Sequence, residues 1–379
     1  ENLLKFRELI GSNITEILKT NAKTTLSELG RVLTTAALDG LFTWLDVDVK
    51  EVEKNPSNVF VTEAVSGAGT AEAETTQEPV DWDSLDKVTL NQHKYGLLHK
   101  VTTWLILGTD ASGDEKGAGE AYQGAMADFL MLVVFDEENK TYGAIQLNRD
   151  TMTEVSLIDK QGEGEATAEI QLCTAHWYGG SRQQNCENTV KAVSKLLGGI
   201  PIDGYYEMPM DTIPLLNKQA GGVEVKLLED FTSVDPQMKK GRKMILNDTQ
   251  AYHYIHDRYG VGDEENTSRM KRQRQYLGSL VKKIKKQAAS DKKILARIMN
   301  ELNPYVVSKI STKKLTHYAG SLSEYQYKGL LTIKGTVKTG KALGDGIEHR
   351  EFYPDASSLE QTVKTLYPLV AKDELQTAR

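Results

Sequence analysis

The sequence predicts an α/β fold, with α+β as the alternative: a central mixed β-sheet flanked by helices, in one main domain with an N-terminal helical extension. Three observations predict it. Short apolar runs carry their polar residues at the ends, other stretches repeat apolar residues every three to four positions, and the two kinds alternate along the chain. The 379 residues suffice for one large domain or two modest ones, and 39% hydrophobic with 26% charged residues is ordinary for a globular chain. A formal net charge of −7 argues against a nonspecific nucleic-acid binder.

In order, LLKFRELI, ITEILKT and LSELGRVLTTAALDGLF predict two or three amphipathic helices before Trp44. Asn58–Val65 reads as a strand, and the small, acidic stretch after it as a loop or linker. These make up an extension and linker over residues 1–95. The main domain is expected over 96–310. Its first strand is VTTWLILGTD, followed by a long glycine-rich loop, ADFLMLVVFD as the second strand and TYGAIQLN as the third. CENTVKAVSKLLGG reads as a helix stopped by Gly198 and Gly199. IDGYYEMPM is a strand, DTIPLLNKQAGG a short helix, VEVKLL a strand, Leu246–Tyr254 a helix, and Thr267–Gln287 a basic helix. Residues 311–379 add strands from YKGLLTIKGTVK and EHREFYPD and a helix from SLEQTVKTLYPLV, expected to pack on the main domain. No apolar run reaches the roughly 18 residues needed to span a bilayer. The first residue, Glu1, raises the expectation of an excised or processed chain, with room upstream for a signal or membrane anchor.

Two features stand out chemically. The strand ends present Asp110, Asp128 and Arg149, and ligands gather at strand ends in α/β sheets. Between Tyr252 and Gln275, an otherwise acidic chain gathers Arg258, Arg269, Arg272 and Arg274 around Asp263, Glu264 and Glu265. A guanidinium fork suits bidentate capture of phosphate, although charge-laced helix faces are also common. Cys173 and Cys186, the two cysteines, flank a short loop, HWYGGSRQQN. The spacing suggests one disulfide and an oxidising compartment, against two unrelated buried thiols.

Taken together and in order, several phrases resemble the LytR–CpsA–Psr family of Gram-positive cell-wall phosphotransferases, from about Val101 to Lys286. They are Gly108-Thr109-Asp110, Ala127-Asp128-Phe129-Leu130-Met131, Arg149-Asp150-Thr151, Ala175-His176-Trp177-Tyr178-Gly179-Gly180, Leu197 to Ile202, Gly221 to Val225, Gln250 to Arg258 and Arg269 to Gln273. The chain departs from the family pattern in places. Met126 and Ala127 stand where an arginine usually precedes a serine–aspartate pair, and His256 replaces the first of two arginines that close a helix. Asn148 replaces a proline, and Asn266-Thr267-Ser268 replaces an aspartate–aromatic–glycine.

The resemblance implies transfer of a glycopolymer phosphate (teichoic acid, capsule or another glycan) from an undecaprenyl-pyrophosphate carrier to a peptidoglycan hydroxyl. The alternatives are a polyprenyl-pyrophosphate phosphoesterase and a catalytically weak polyprenyl-phosphate-binding regulator. It also implies Mg²⁺ or Mn²⁺ held by Asp110 and Asp128, and an extracellular location with a single-pass N-terminal anchor. Arg149, Arg258, Arg269, Arg272 and Gln273 would bind the pyrophosphate. Arg149, Asp150 and Asp263 are the expected catalytic residues, with Asp263 as the base and Asp150 more suited to orienting Arg149. Arg274 and the lysines after it are expected to face solvent. A polyprenyl chain would need an apolar groove, to which Leu130, Leu132, Val134, Ile213, Leu215, Leu216, Leu277 and Leu280 could contribute, though each suits plain core equally.

Overall fold

The computed structural model describes residues 80–110, 125–159, 161–164, 166–288, 290–291, 294–311, 314, 318, 321 and 324–377. The helices expected before Trp44, the strand at 58–65 and most of the glycine-rich loop lie outside these residues. No helix among the described residues is long and apolar enough to cross a membrane.

The first strands among the described residues are a hairpin of β1 (Asp86–Leu90) and β2 (His93–Leu97). Next come β3 (Thr102–Thr109), β4 (Ala127–Asp136) and β5 (Thr141–Leu147), then a second hairpin of β6 (Met152–Ser156) and β7 (Thr167–Gln171). The helix α1 (Arg182–Leu196), β8 (Gly204–Pro209), α2 (Ile213–Ala220), β9 (Val223–Lys226) and β10 (Lys243–Leu246) lead to α3 (Asp248–His256) and α4 (Asn266–Ala288). The remainder is α5 (Ile294–Leu302), β11 (Val307–Ser308), β12 (Gln326–Thr332), β13 (Gly335–Gly340), β14 (His349–Pro354), α6 (Ala356–Leu366), β15 (Leu369–Ala371) and α7 (Lys372–Thr377).

Six strands form the central mixed sheet in the order β11-β8-β3-β4-β5-β12. The β3–β8 and β5–β12 pairs are parallel, and the others antiparallel. β4 is apolar almost throughout because both of its faces are covered. Its side chains alternate: Met131, Val133 and Phe135 join a core under α2 to α5, whereas Leu130, Leu132 and Val134 join a second core under α1 and α6. Seven of the eight leucine, valine and isoleucine positions expected along one lipid groove, all but Leu277, therefore divide between opposite faces of the sheet. Beside Leu277 there is a small cleft, lined by Phe129, Met131, Gln146, Arg274, Gly278 and Leu330.

Two helix boundaries differ from the sequence reading. The last four residues of the glycine-and-glutamine stretch before Cys186 are helical, because Ser181 accepts a hydrogen bond from the Gln184 amide and starts α1 at Arg182. Leu246 ends β10 instead of starting a helix; Asn247 and Gln250 form a reciprocal capping box that sets the start of α3 at Asp248.

Candidate active site

The end of β3, the start of β4 and the end of β5 lie together at one end of the sheet, because β4 runs antiparallel to both neighbours. Gly108 pairs with Phe129, but Thr109 pairs with Ala127, so Asp128 is the extra residue of a bulge. A Cβ on Gly108 would lie 3.0 Å from the Cβ of Phe129, which explains the small residue at this crowded kink. The bulge turns the Asp128 carboxylate into a cluster of cations. Arg149 Nη1 donates to Asp128 Oδ1, and Arg269 Nη1 donates to Oδ2 at 2.9 Å.

The turn after β5 is fastened from several sides. Asn148 Oδ1 accepts from the Asp150 amide at 3.0 Å and from Asn266 Nδ2 at 2.7 Å. Asn266 Oδ1 in turn accepts from Arg269 Nε and Nη2 at 3.0 and 2.8 Å. The two departures from the family pattern at Asn148 and Asn266 thus bond each other and tie the Arg149 turn to Arg269. The carbonyls of Arg149 and Asp150 accept from the amides of Cys173 and Phe352 at 2.9 and 2.7 Å.

Arg258 completes the cluster. Its Nη1 lies 3.0 Å from Asp150 Oδ1, and its Nε donates to the Glu264 carbonyl at 2.9 Å. Asp150 also lies 3.5 Å from Arg149 Nε, so it orients two guanidinium groups at once. Arg149 Nε and Arg258 Nη2 are buried polar atoms for which the described residues supply no hydrogen-bond partner. A buried N–H left without an acceptor is costly unless a ligand supplies one. Burial, with Arg149 adding to it, pushes Arg269 down to about 9, which leaves it charged at neutral pH.

At the mouth of the cluster, His256 Nε2 lies 3.8 Å from Asp110 Oδ1 and 3.9 Å from Asp128 Oδ2. One donor atom from each of Asp110, Asp128 and His256 falls within 4.8 Å of the other two. The carboxylates of Asp110, first, and of Asp257 hold the imidazole up at about 9, so a cation bound here would displace its proton. Two carboxylates and an imidazole fit a divalent cation chemically, since all three can ligate one and the acids offset its charge.

Not every expected residue joins this cluster. Arg272 is 1% exposed and donates to Glu229 and to the carbonyls of Tyr254 and Asp257, fastening the end of α3 to α4. Gln273, also buried, donates to the Ile255 carbonyl at 3.3 Å and accepts from Gln146 at 3.1 Å. Asp263 is exposed; its carboxylate accepts from the Glu265 amide at 3.0 Å and from Ser268 Oγ at 2.8 Å, closing the turn before α4. Arg274 does not face solvent as expected. It is half-buried, bonds Gln146 Oε1 at 2.5 Å, and is pushed down to about 10 by burial.

The expected disulfide is absent, since both thiols are free and buried. Cys173 Sγ accepts from Arg149 Nη2 at 3.1 Å, and Cys186 Sγ lies 3.6 Å from His176 Nε2. Burial pushes His176 down to about 4, so it stays neutral, with Nδ1 2.7 Å from the Ala125 carbonyl. Sequence reasoning also missed Glu207. This carboxylate is fully buried and takes hydrogen bonds from Arg182 and from Thr109 Oγ1, the latter at 2.6 Å beside Asp110. A lone glutamate inside the apolar phrase GYYEMP was the available signal.

A model of the LytR_cpsA_psr family matches residues 59–367. The TagU polyisoprenyl-teichoic acid–peptidoglycan teichoic acid transferase of Bacillus cereus is 28% identical over 180 residues, covering 47% of this chain and 51% of that protein. The similarly named TagV of Bacillus subtilis is 28% identical over 254 residues, 64% of this chain and 60% of TagV. The chain thus spans about half to three-fifths of the length of these curated relatives. Among solved structures, a protein of Streptococcus agalactiae is similar in fold, with a TM-score of 0.54, 23% identity, and coverage of 73% of this chain and 88% of its own. The crystal structure of B. subtilis TagV gives 0.50 and 24%, covering 73% and 98%.

Proposed function

The chain belongs to the LytR–CpsA–Psr family, and on that premise we propose that it transfers a glycopolymer phosphate from a polyprenyl-pyrophosphate carrier to a peptidoglycan hydroxyl. The names of its relatives favour a teichoic acid as the polymer, and the reading sets the reaction at the extracellular face of the membrane. The observation that carries it is the cluster of three arginines, in which Arg258 Nη2 has no hydrogen-bond partner among the described residues and Arg149 Nε has only a 3.5 Å ion-pair contact with Asp150. A pyrophosphate supplies the missing acceptors, and guanidinium forks match its oxygens.

In the transfer, the acceptor hydroxyl oxygen forms a bond to the glycan-bearing phosphorus and gives up its proton. The bridging bond to the lipid phosphate breaks, and polyprenyl phosphate leaves, its new terminal oxygen able to take up that proton. Arg149, the most exposed of the three clustered arginines at 14%, would bind the oxygens where charge builds. Arg269 and Arg258 would hold the same group from the α4 and α3 sides, each fixed by its own carboxylate. Mg²⁺ or Mn²⁺, held by Asp110 and Asp128, would draw charge from phosphate oxygens when bound.

The test is to incubate the protein with a short-chain polyprenyl-pyrophosphate glycan, peptidoglycan and a divalent cation. Polymer linked to peptidoglycan by a phosphodiester is the expected product, together with polyprenyl phosphate. Glycan phosphate released to water, with no linkage to peptidoglycan, would replace the transferase reading with a phosphoesterase one.

A further inference from the structure

We propose that His256 is a third protein ligand of the cation site, and that this Asp–Asp–His set prefers a transition-metal ion such as Mn²⁺ to Mg²⁺. The inference rests on the metal-assisted reading above and adds the identity of the ligand set and of the ion. Asp110 follows β3, Asp128 sits in the β4 bulge and His256 ends α3, so three separate elements bring donor atoms within 4.8 Å of one another. Bonds of about 2.0–2.2 Å allow one ion to join donors up to about 4.2 Å apart. His256 Nε2 lies within that span of both carboxylates, at 3.8 and 3.9 Å.

The second ring nitrogen gives independent support. His256 Nδ1 lies 3.3 Å from Asp257 Oδ1, the carboxylate–imidazole contact that fixes the tautomer and frees Nε2 for a metal. Asp257 is itself anchored by His253 Nδ1 at 2.8 Å. Tyr252 stacks on the His256 ring, with centroids 4.7 Å apart and planes 15° apart, so the imidazole plane is fixed as well. The arginines on Asp128 do not exhaust it: Oδ1 accepts from Arg149 Nη1 and Arg269 Nη2, but Oδ2, the oxygen facing His256, accepts from Arg269 Nη1 and keeps a second lone pair. An imidazole nitrogen is a poor ligand for Mg²⁺, which favours oxygen, and a good one for later divalent ions.

The test is metal binding by the full chain without any substrate, followed by calorimetry and pulsed EPR with Mn²⁺ as the probe. Wild type should bind Mn²⁺ at least about tenfold more tightly than Mg²⁺ and show spin-echo modulation from a coordinated imidazole nitrogen. His256→Ala should abolish the nitrogen modulation and weaken Mn²⁺ by about 10–100-fold, while Mg²⁺ changes by less than about threefold. Asp257→Asn, a partly exposed position, serves as the second variant and should weaken Mn²⁺ by about tenfold while keeping the modulation. Mn²⁺ bound by wild type without nitrogen modulation, or equally well by both variants, would overturn the inference yet leave the transferase reading standing. Absence of Mn²⁺ binding would overturn it as well. Because no turnover is read, failure of the transfer reaction cannot mimic either result.

Discussion

Arg269 and Arg272 stand one turn apart on α4, both buried and both paired with a carboxylate, yet they belong to different parts of the molecule. Arg269 meets Asp128, which also carries Arg149, 14% exposed, and faces His256, 28% exposed. Arg272 meets Glu229 and two backbone carbonyls and is covered by the Phe231 ring, 5.1 Å away. The first arginine shares its carboxylate with the partly exposed Arg149 and lies behind the partly exposed His256; the second fastens one helix to another. One basic motif therefore reaches two different settings, and the deciding factor is whether the partner carboxylate lies at the end of the sheet.

The comparison breaks most readily at Arg272. Arg272→Ala leaves Glu229 buried and uncompensated, with an expected loss of about 3–5 kcal/mol in denaturant unfolding. Any fall in transfer should follow the folded fraction. Arg149→Ala should do the reverse. Transfer is expected to drop by about 10²–10³-fold through lost charge stabilisation, while unfolding changes little, because Asp128 keeps Arg269. Asn266→Ala sharpens the link between the two regions. Removing the acceptor of two Arg269 N–H groups should cost about 1.5–3 kcal/mol, seen partly in stability and partly as weaker substrate binding. Asp263→Asn should have the smallest effect, within about 1 kcal/mol of stability and with turnover near wild type. Its carboxylate serves the turn before α4. A large loss of turnover with normal stability would instead make Asp263 the base.

Much of the sheet was legible because β3, β4 and β5 are continuous apolar runs with polar ends. Asp110, Asp128, Arg149, Arg258 and Arg269 all meet, as strand ends and the arginine segment suggested. What could not be read depends on pairing at long range. The bulge that turns Asp128 is a property of register between two strands, and residue types do not encode it locally. Arg272 looks identical to Arg269 in sequence, and its partner lies 43 residues away in an unremarkable loop. Asn148 and Asn266, 118 residues apart, look like two separate departures until their side chains meet. The cysteine pair misled because short spacing limits where two thiols can go without fixing where they point.

The central claim is that the Arg149–Arg258–Arg269 cluster is a pyrophosphate site. Calorimetric titration with a short-chain polyprenyl pyrophosphate tests it most directly, on wild type and on Arg149→Ala checked for an unchanged unfolding midpoint. The account predicts saturable binding by wild type and affinity about 10–100-fold weaker in the variant, the loss of one or two charge-assisted hydrogen bonds. Equal affinity in the two proteins would contradict it.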